Sequence, residues 1–477
     1  MINILKHLFI VLVLTHNSPL NGQNIYLSDV FPSKLYDNVE IIGQQNGFNF
    51  FLNTSSGSSF TLLRTDDKLK HLQKLELKLS ERKSKILYTY INKDELFIFY
   101  TYRSRSEQCF KLNIYNTDLD FKDSINLACF ENKLYNPDIA VEPSEDKASM
   151  LVYFSESGDY YQFYAFDLNA RKLKWVYKWD YKLEKTDNKV LTDILLDNNT
   201  NAFLAFDEQN KAFHDHSTNL TCAYLTETGM ISKNYNDLPF LTFESSWIAD
   251  NKNKRFILAG TYHLEKSNKA KGTLYCYTDF PALEDSLHLH LASFSSESLT
   301  PILGKHEHPE EGIEDFEIAS VLSTYDGGVV MVLERTKQNL RYVDGRYSSF
   351  GSIGRNIVDY YFDDLLVVAL KNDGSIDWTS TLPKKQFSQD DDGDYSSFFM
   401  MKQSNNLRFI FNDEIQNGNT ISQYILSSDG KAERKSMFNT DFKKLKLMFR
   451  KGKQISTNAC LIPCTYKNKV RYLKIEF

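Results

Sequence analysis

Apolar and polar positions alternate along this chain in short bursts, and the clearest burst is Leu365 to Pro383. It opens with the apolar run Leu365 to Leu370, breaks at Asn372-Asp373-Gly374, and resumes as an alternating run around Trp378. Side chains of a strand alternate between two faces, and Asn, Asp and Gly accept the backbone angles of a tight turn, so this order predicts a β-hairpin. Weaker copies of it recur over most of the sequence.

Grouped by their turns, the copies form units. The first, Val39 to Leu79, predicts strands at Val39 to Ile42, Phe48 to Leu52 and Phe60 to Arg64, a turn at Asp66-Asp67, and an outgoing strand from Leu69 to Leu79. A second runs from Ile86 to Leu127 with its turn at Asn116 to Asp118, and a third from Ile139 to Trp179 with its turn at Asn169 to Lys172. The fourth, Val190 to Tyr235, turns at Thr226 to Gly229, and the fifth, Ser246 to Phe294, turns near Asp279 and is less regular. The sixth runs from Phe316 to Leu382, and the seventh, Phe398 to Phe438, turns at Ser428-Asp429-Gly430. Four strands in roughly forty residues is the size of one propeller blade. The tail supplies three strands, Leu445 to Phe449, Ile455 to Cys464 and Val470 to Phe477, and the isolated segment Gln23 to Val30 can complete them. The expectation is an all-β propeller of eight blades, with seven as the alternative, closed by strands from both termini so that no raw sheet edge remains.

In the third and sixth units an Ala-Phe or Ala-Leu strand is followed by a turn and then by Trp175 or Trp378. These two units resemble the repeat of pyrroloquinoline-quinone-type propellers. The resemblance implies the fold; the adjacent cysteine pair those enzymes use has no counterpart here, so no cofactor is carried over. More broadly the chain resembles large secreted bacterial propeller proteins.

Residues 1 to 22 change the picture at one end. Lys6 precedes the apolar run Leu8 to Leu14, which suits a cleaved secretory signal and is too short for a membrane span. The expectation is an exported chain, periplasmic, secreted or at the cell surface, with residues 23 to 477 as one domain. Six cysteines are too few for a disulfide scaffold, but export permits bridges. Cys109 and Cys129 lie on either side of the turn near Thr117 to Leu119, which sets them nearly opposite as a bridge or as two packed thiols. Cys460 and Cys464 on one extended strand would sit roughly 13 Å apart. Cys222 and Cys276 fall in apolar runs and read as core.

A net charge of -6 gives no basic field for nucleic acid. There is no Gly-x-Ser-x-Gly elbow, His-Glu-x-x-His or phosphate loop. Three His-x-His pairs, His214 with His216, His288 with His290 and His306 with His308, have a spacing that suits zinc. Glu310 and Glu311 make the His306 and His308 pair the best candidate, against exposed polar loops as the alternative. Asp390-Asp-Asp-Gly-Asp394 offers Asp390, Asp392 and Asp394 to calcium, but its glycine is displaced and no bidentate Glu follows, which favours a solvated connection.

The sixth unit carries an insertion, Glu334 to Asp364, whose strands run past the blade. Arg341, Tyr342, Tyr347, Phe350, Arg355, Tyr360 and Tyr361 give it the composition of a binding surface; the alternative is an arm folded against a neighbouring blade. The expected function is a protein- or glycan-binding or scaffolding module with no cofactor and no membrane span. Two alternatives stand beside it: a carbohydrate-active hydrolase or lyase with carboxylates in the ring channel, and an outer-membrane barrel, suggested by the alternation up to Phe477.

Overall fold

A computed structural model describes residues 23–31, 38–55, 59–70, 72–79, 84–131, 138–156, 160–180, 189–208, 218–238, 241–263, 269–281, 283–284, 286–304, 307–343, 355–413, 420–440, 445–466 and 469–477. These form eight separate antiparallel sheets arranged as the blades of a β-propeller. Blades 1 to 7 span 38–77, 85–131, 138–180, 189–238, 241–293, 316–389 and 398–439. In each, the first four strands pair in chain order, so local hairpins build the sheet. Blade 8 joins the two ends of the chain. Asn24–Leu27 pairs with Lys469–Glu476, which pairs with Ala459–Tyr466. The first strand of each blade contacts its counterpart in the next around much of the ring, and Lys453–Ser456 of blade 8 contacts Asn38–Gln45 of blade 1.

The core lies between blades. Among the described residues eight buried apolar clusters occur, and each is shared by two consecutive blades. At the closure Phe31 and Phe51 meet the ring of Tyr472, with centroids 4.7 and 4.5 Å from it. Between blades 4 and 5, Phe203 stacks on Phe256 at 4.1 Å. A four-stranded sheet has two faces, and stacking blades face to face buries both, which is why second and third strands such as Leu96 to Tyr100 and Leu365 to Leu370 are apolar throughout.

The hairpin of Leu365 to Pro383 is the outer half of blade 6, and Ala369 stands opposite Trp378. Ala165 stands opposite Trp175 in blade 3. Both indoles reach the next blade: Trp175 donates to Thr200 O at 2.7 Å and Trp378 to Ser428 O at 3.0 Å. Gly430, at φ +79°, lies beneath Trp378, where a Cβ would come within 2.7 Å of the ring.

Some expectations change. Leu69 does not open a strand; it sits at φ 61° in the turn after Asp66, its side chain fills the closure core, and the outgoing strand is Gln73–Leu77. The tail segment from Ile455 to Cys464 is two strands, because a turn at Thr457-Asn458 folds it back on itself. The barrel alternative fails: the sheets are separate, and the alternation ending at Phe477 serves the interior of blade 8. Among the described residues no helix is long and apolar enough to cross a membrane.

Candidate functional site

Blades 1 to 7 each begin with four antiparallel strands in chain order, and the first strands of blades 1 to 6 contact one another in turn and line a common channel. Their residues include Glu40, Glu142, Asp193, Glu244 and Glu317, from blades 1, 3, 4, 5 and 6. Bulges interrupt four of these strands, between Ile41 and Gly43, Leu191 and Asp193, Thr242 and Glu244, and Ile318 and Ser320. A bulge adds an unpaired residue and turns neighbouring side chains away from the ladder.

The carboxylates interact across blade boundaries. Burial pushes the Glu142 carboxyl up to about 7, and the Asp193 carboxylate of the next blade adds to the rise. Burial likewise raises Glu244, with Glu317 contributing. Glu142 is the last residue but one of its strand and Glu317 the second of its own, so the two pairs lie toward opposite ends of the channel. Glu40 accepts a hydrogen bond from Thr89 Oγ1 at 2.9 Å. The Tyr88 phenol is raised by burial and then by Glu40 and Glu142.

At the Glu317 end the second and third strands of blade 6, Val329–Val343 and Arg355–Leu370, overrun the blade as an arm. Their register shifts between Glu334 and Thr336, and Thr336 opposite Phe362 is the first pair beyond the joint. The arm is braced on one side. Gln386–Gln389 pairs with Asp359 to Phe362, Arg341 Nε donates to Asp359 Oδ2 at 2.6 Å, and Tyr361 packs on Phe387. Its opposite face is open: Leu340 and Tyr342, two residues apart and therefore on one face, are 69% and 63% exposed. Among the described residues no strand pairs with the outer edge of Lys337 to Val343.

The acidic segment expected as a solvated connection or a calcium loop is tied largely to the arm. Asp390 Oδ1 accepts from Val358 N at 2.9 Å, Asp392 Oδ1 accepts from the Tyr360 hydroxyl at 3.2 Å, and Asp394 Oδ2 lies 2.7 Å from Lys451 Nζ. Arg355 Nη2 approaches Asp390 at 4.0 Å. Tyr347, Phe350, His214, His216 and His306 lie outside the described residues. His308 Nδ1 is 3.7 Å from Glu310 Oε1, while Glu311 pairs with Lys269. His288 is 2.8 Å from Glu284 and stacks on Tyr277. Among the described residues the one group of three potential metal ligands drawn together is Glu107, Cys109 and Cys129, and its cysteines are joined in a disulfide between directly opposed strand positions. Cys222, Cys276, Cys460 and Cys464 are buried thiols outside any disulfide.

Sequence reasoning found the arm and weighed carboxylates in the channel without naming which residues would supply them. The signal was present: the first strands of five units carry a Glu or Asp beside an apolar residue, as in Val39-Glu40, Val141-Glu142 and Phe316-Glu317. Only the ring brings these positions to one axis.

No protein-family model and no curated protein matches the chain. Among solved structures it is similar to the WD40 domain of SCAP from fission yeast, at 10% identity and a TM-score of 0.41 over 95% of this chain and 98% of that one. It is similar to the Dos1 propeller, at 10% identity and a TM-score of 0.41 over 94% of both chains. It is also similar to an oligogalacturonate lyase in complex with manganese, at 7% identity and a TM-score of 0.39 over 92% of this chain and 98% of that one. The likeness is one of propeller fold.

Proposed function

We propose that this chain is an exported binding propeller that engages a protein partner through the arm of blade 6. The carrying observation is the open edge of Lys337 to Val343, which presents Leu340 and Tyr342 from a ribbon anchored on its other side. An unpaired edge offers backbone donors and acceptors to an extended segment, and alternate side chains give that pairing its specificity. Bracing lowers the entropy lost on binding. The disulfide between Cys109 and Cys129 supports an oxidising compartment. N-terminal sequencing of protein recovered outside the cytoplasm tests export.

Photo-cross-linking in the native host tests the arm. A benzophenone side chain at position 340 is expected to give a discrete adduct that one at Val176, another exposed apolar position, does not give, and Tyr342→Ser is expected to abolish it. Identical products at 340 and 176 overturn the reading.

The channel favours a second reading, a carbohydrate-active enzyme. Glu244 and Glu317 supply a carboxyl with a raised pKa beside a second carboxylate, an arrangement suited to general acid and base work. Release of reducing or unsaturated ends from a polysaccharide panel, lost in Glu244→Gln, supports it; no release from any polymer counts against it.

A further inference from the structure

A cavity of about 400 Å³ opens where blades 6, 7 and 8 meet, beside the root of the arm. Its walls include Phe362 and Phe398, and its floor holds Glu334 and Ser397, which are 4% and 6% exposed. The charges of the floor are paired with each other. Glu334 Oε2 accepts from Ser397 Oγ at 2.5 Å, and Glu334 Oε1 lies 2.6 Å from the Lys384 ammonium. That ammonium also donates to Phe362 O at 2.8 Å and to Gln386 Oε1 at 3.0 Å. The floor therefore presents a neutralised carboxylate fixed in place.

Two exposed charges on the same cavity have no ion-pair partner among the described residues. Glu317, opposite Glu334 on the neighbouring strand, and Arg450, whose guanidinium lies 5.5 Å from the centroid of the Phe362 ring, both line it. Among the described residues neither forms an ion pair, with the other or with a third group. One carboxylate and one guanidinium, both lining an aromatic-walled cavity, match a ligand that carries both charges and an apolar group. Glu244 in the adjoining blade adds negative potential on the Glu317 side and favours the cationic end there. The volume falls near the lower end of small-molecule sites and suits an amino acid or dipeptide.

We propose that this cavity binds a small zwitterion of the amino-acid or dipeptide class, with its ammonium at Glu317, its carboxylate at Arg450 and its apolar side chain against Phe362 and Phe398. The site is separate from the exposed face of the arm, so binding here does not require the arm partner.

Calorimetric titration of the full chain tests it with glycyl-phenylalanine, its N-acetyl derivative, its C-terminal amide, and glucuronate. The expected result is saturable binding of the dipeptide, weakened at least tenfold by acetylation or by Glu317→Gln, and at least tenfold by amidation or by Arg450→Ala. Acetylation is expected to cost little further in Glu317→Gln, and amidation little further in Arg450→Ala, because each variant has already lost the group's partner. Tyr342→Ser is expected to leave binding unchanged, which separates this site from the arm. No saturable binding of the dipeptide, binding indifferent to both cavity variants, or tighter binding of glucuronate overturns the proposal.

Discussion

The Lys384 ammonium sits 2.6 Å from Glu334 Oε1 at the joint between blade 6 and its arm, with the two side chains 0% and 5% exposed. Around it the partner of the third strand changes. Leu365 pairs with Leu382, but Phe362 pairs with Gln386, and the chain crosses the gap through Pro383 and Lys384. Lys384 N bonds to Asp364 Oδ1, while Lys384 Nζ bonds to Phe362 O. The ion pair thus closes a break in the sheet. Burial depresses the Lys384 ammonium against the pull of Glu334, so the pair is retained only while both partners are present.

Removing one partner strands the other. Lys384→Met is expected to destabilise the protein by about 3–5 kcal/mol, because Glu334 remains as an uncompensated buried charge. Lys384→Met with Glu334→Leu is expected to recover much of that loss. Urea unfolding of both variants checks the coupling, and amide exchange of Asp359 to Phe362 reports whether the arm loosens first.

Glu142 makes stability depend on pH. Its folded value of about 7 lies above the ordinary 4.5, so the folded state holds its proton longer than the unfolded state. The sign follows from linkage: no penalty below pH 4.5, a penalty growing as pH rises to 7, and a constant penalty above. The shift corresponds to about 3 kcal/mol at most, reduced by the water that reaches this partly exposed group. Glu142→Gln is expected to be the more stable protein at pH 8 by about 1–3 kcal/mol and to match the parent at pH 4. Unfolding curves at the two pH values measure the difference.

The disulfide between Cys109 and Cys129 closes a loop within blade 2. By chain entropy, opening it is expected to cost about 3 kcal/mol. Reductant should lower the melting temperature of the parent and leave a Cys109→Ala, Cys129→Ala variant unmoved. Cys222→Ala should keep the response to reductant, since that thiol takes no part in the bridge.

Ring closure rests on few residues. Ser28 Oγ accepts from Tyr472 N at 2.9 Å, Arg471 Nε donates to Ser28 O at 2.8 Å, and Phe31 fills the cluster between blades 8 and 1. A chain starting at residue 32 therefore exposes the edge of Lys469–Glu476. It is expected to melt lower than a chain starting at 23 and to associate with itself. Sedimentation and thermal scans of the two chains decide it.

The units were legible in the sequence because a blade is built from neighbours in the chain. Alternation, apolar runs and Asn-Asp-Gly turns report local hairpins, and Leu365 to Pro383 folds as its pattern predicts. The pairing of Asn24–Leu27 with the last strand was also accessible, since one strand was missing at one end and one was spare at the other. Leu69 was misread because a left-handed apolar residue in a turn looks the same in sequence as the first residue of a strand.

The candidate sites depended on distance across the ring. The amino-acid order alone determined that this protein repeats a four-stranded hairpin unit, that it carries one overlong hairpin in the sixth unit, and that Cys109 and Cys129 face each other. Tertiary structure decided that Asp390, Asp392 and Asp394 serve the arm and its surroundings, that Glu334 is neutralised by Lys384, and that Glu317 and Arg450, 133 residues apart, share one cavity. The physical reason is that a strand pattern records which face a side chain takes, whereas the partner it meets there comes from a different blade.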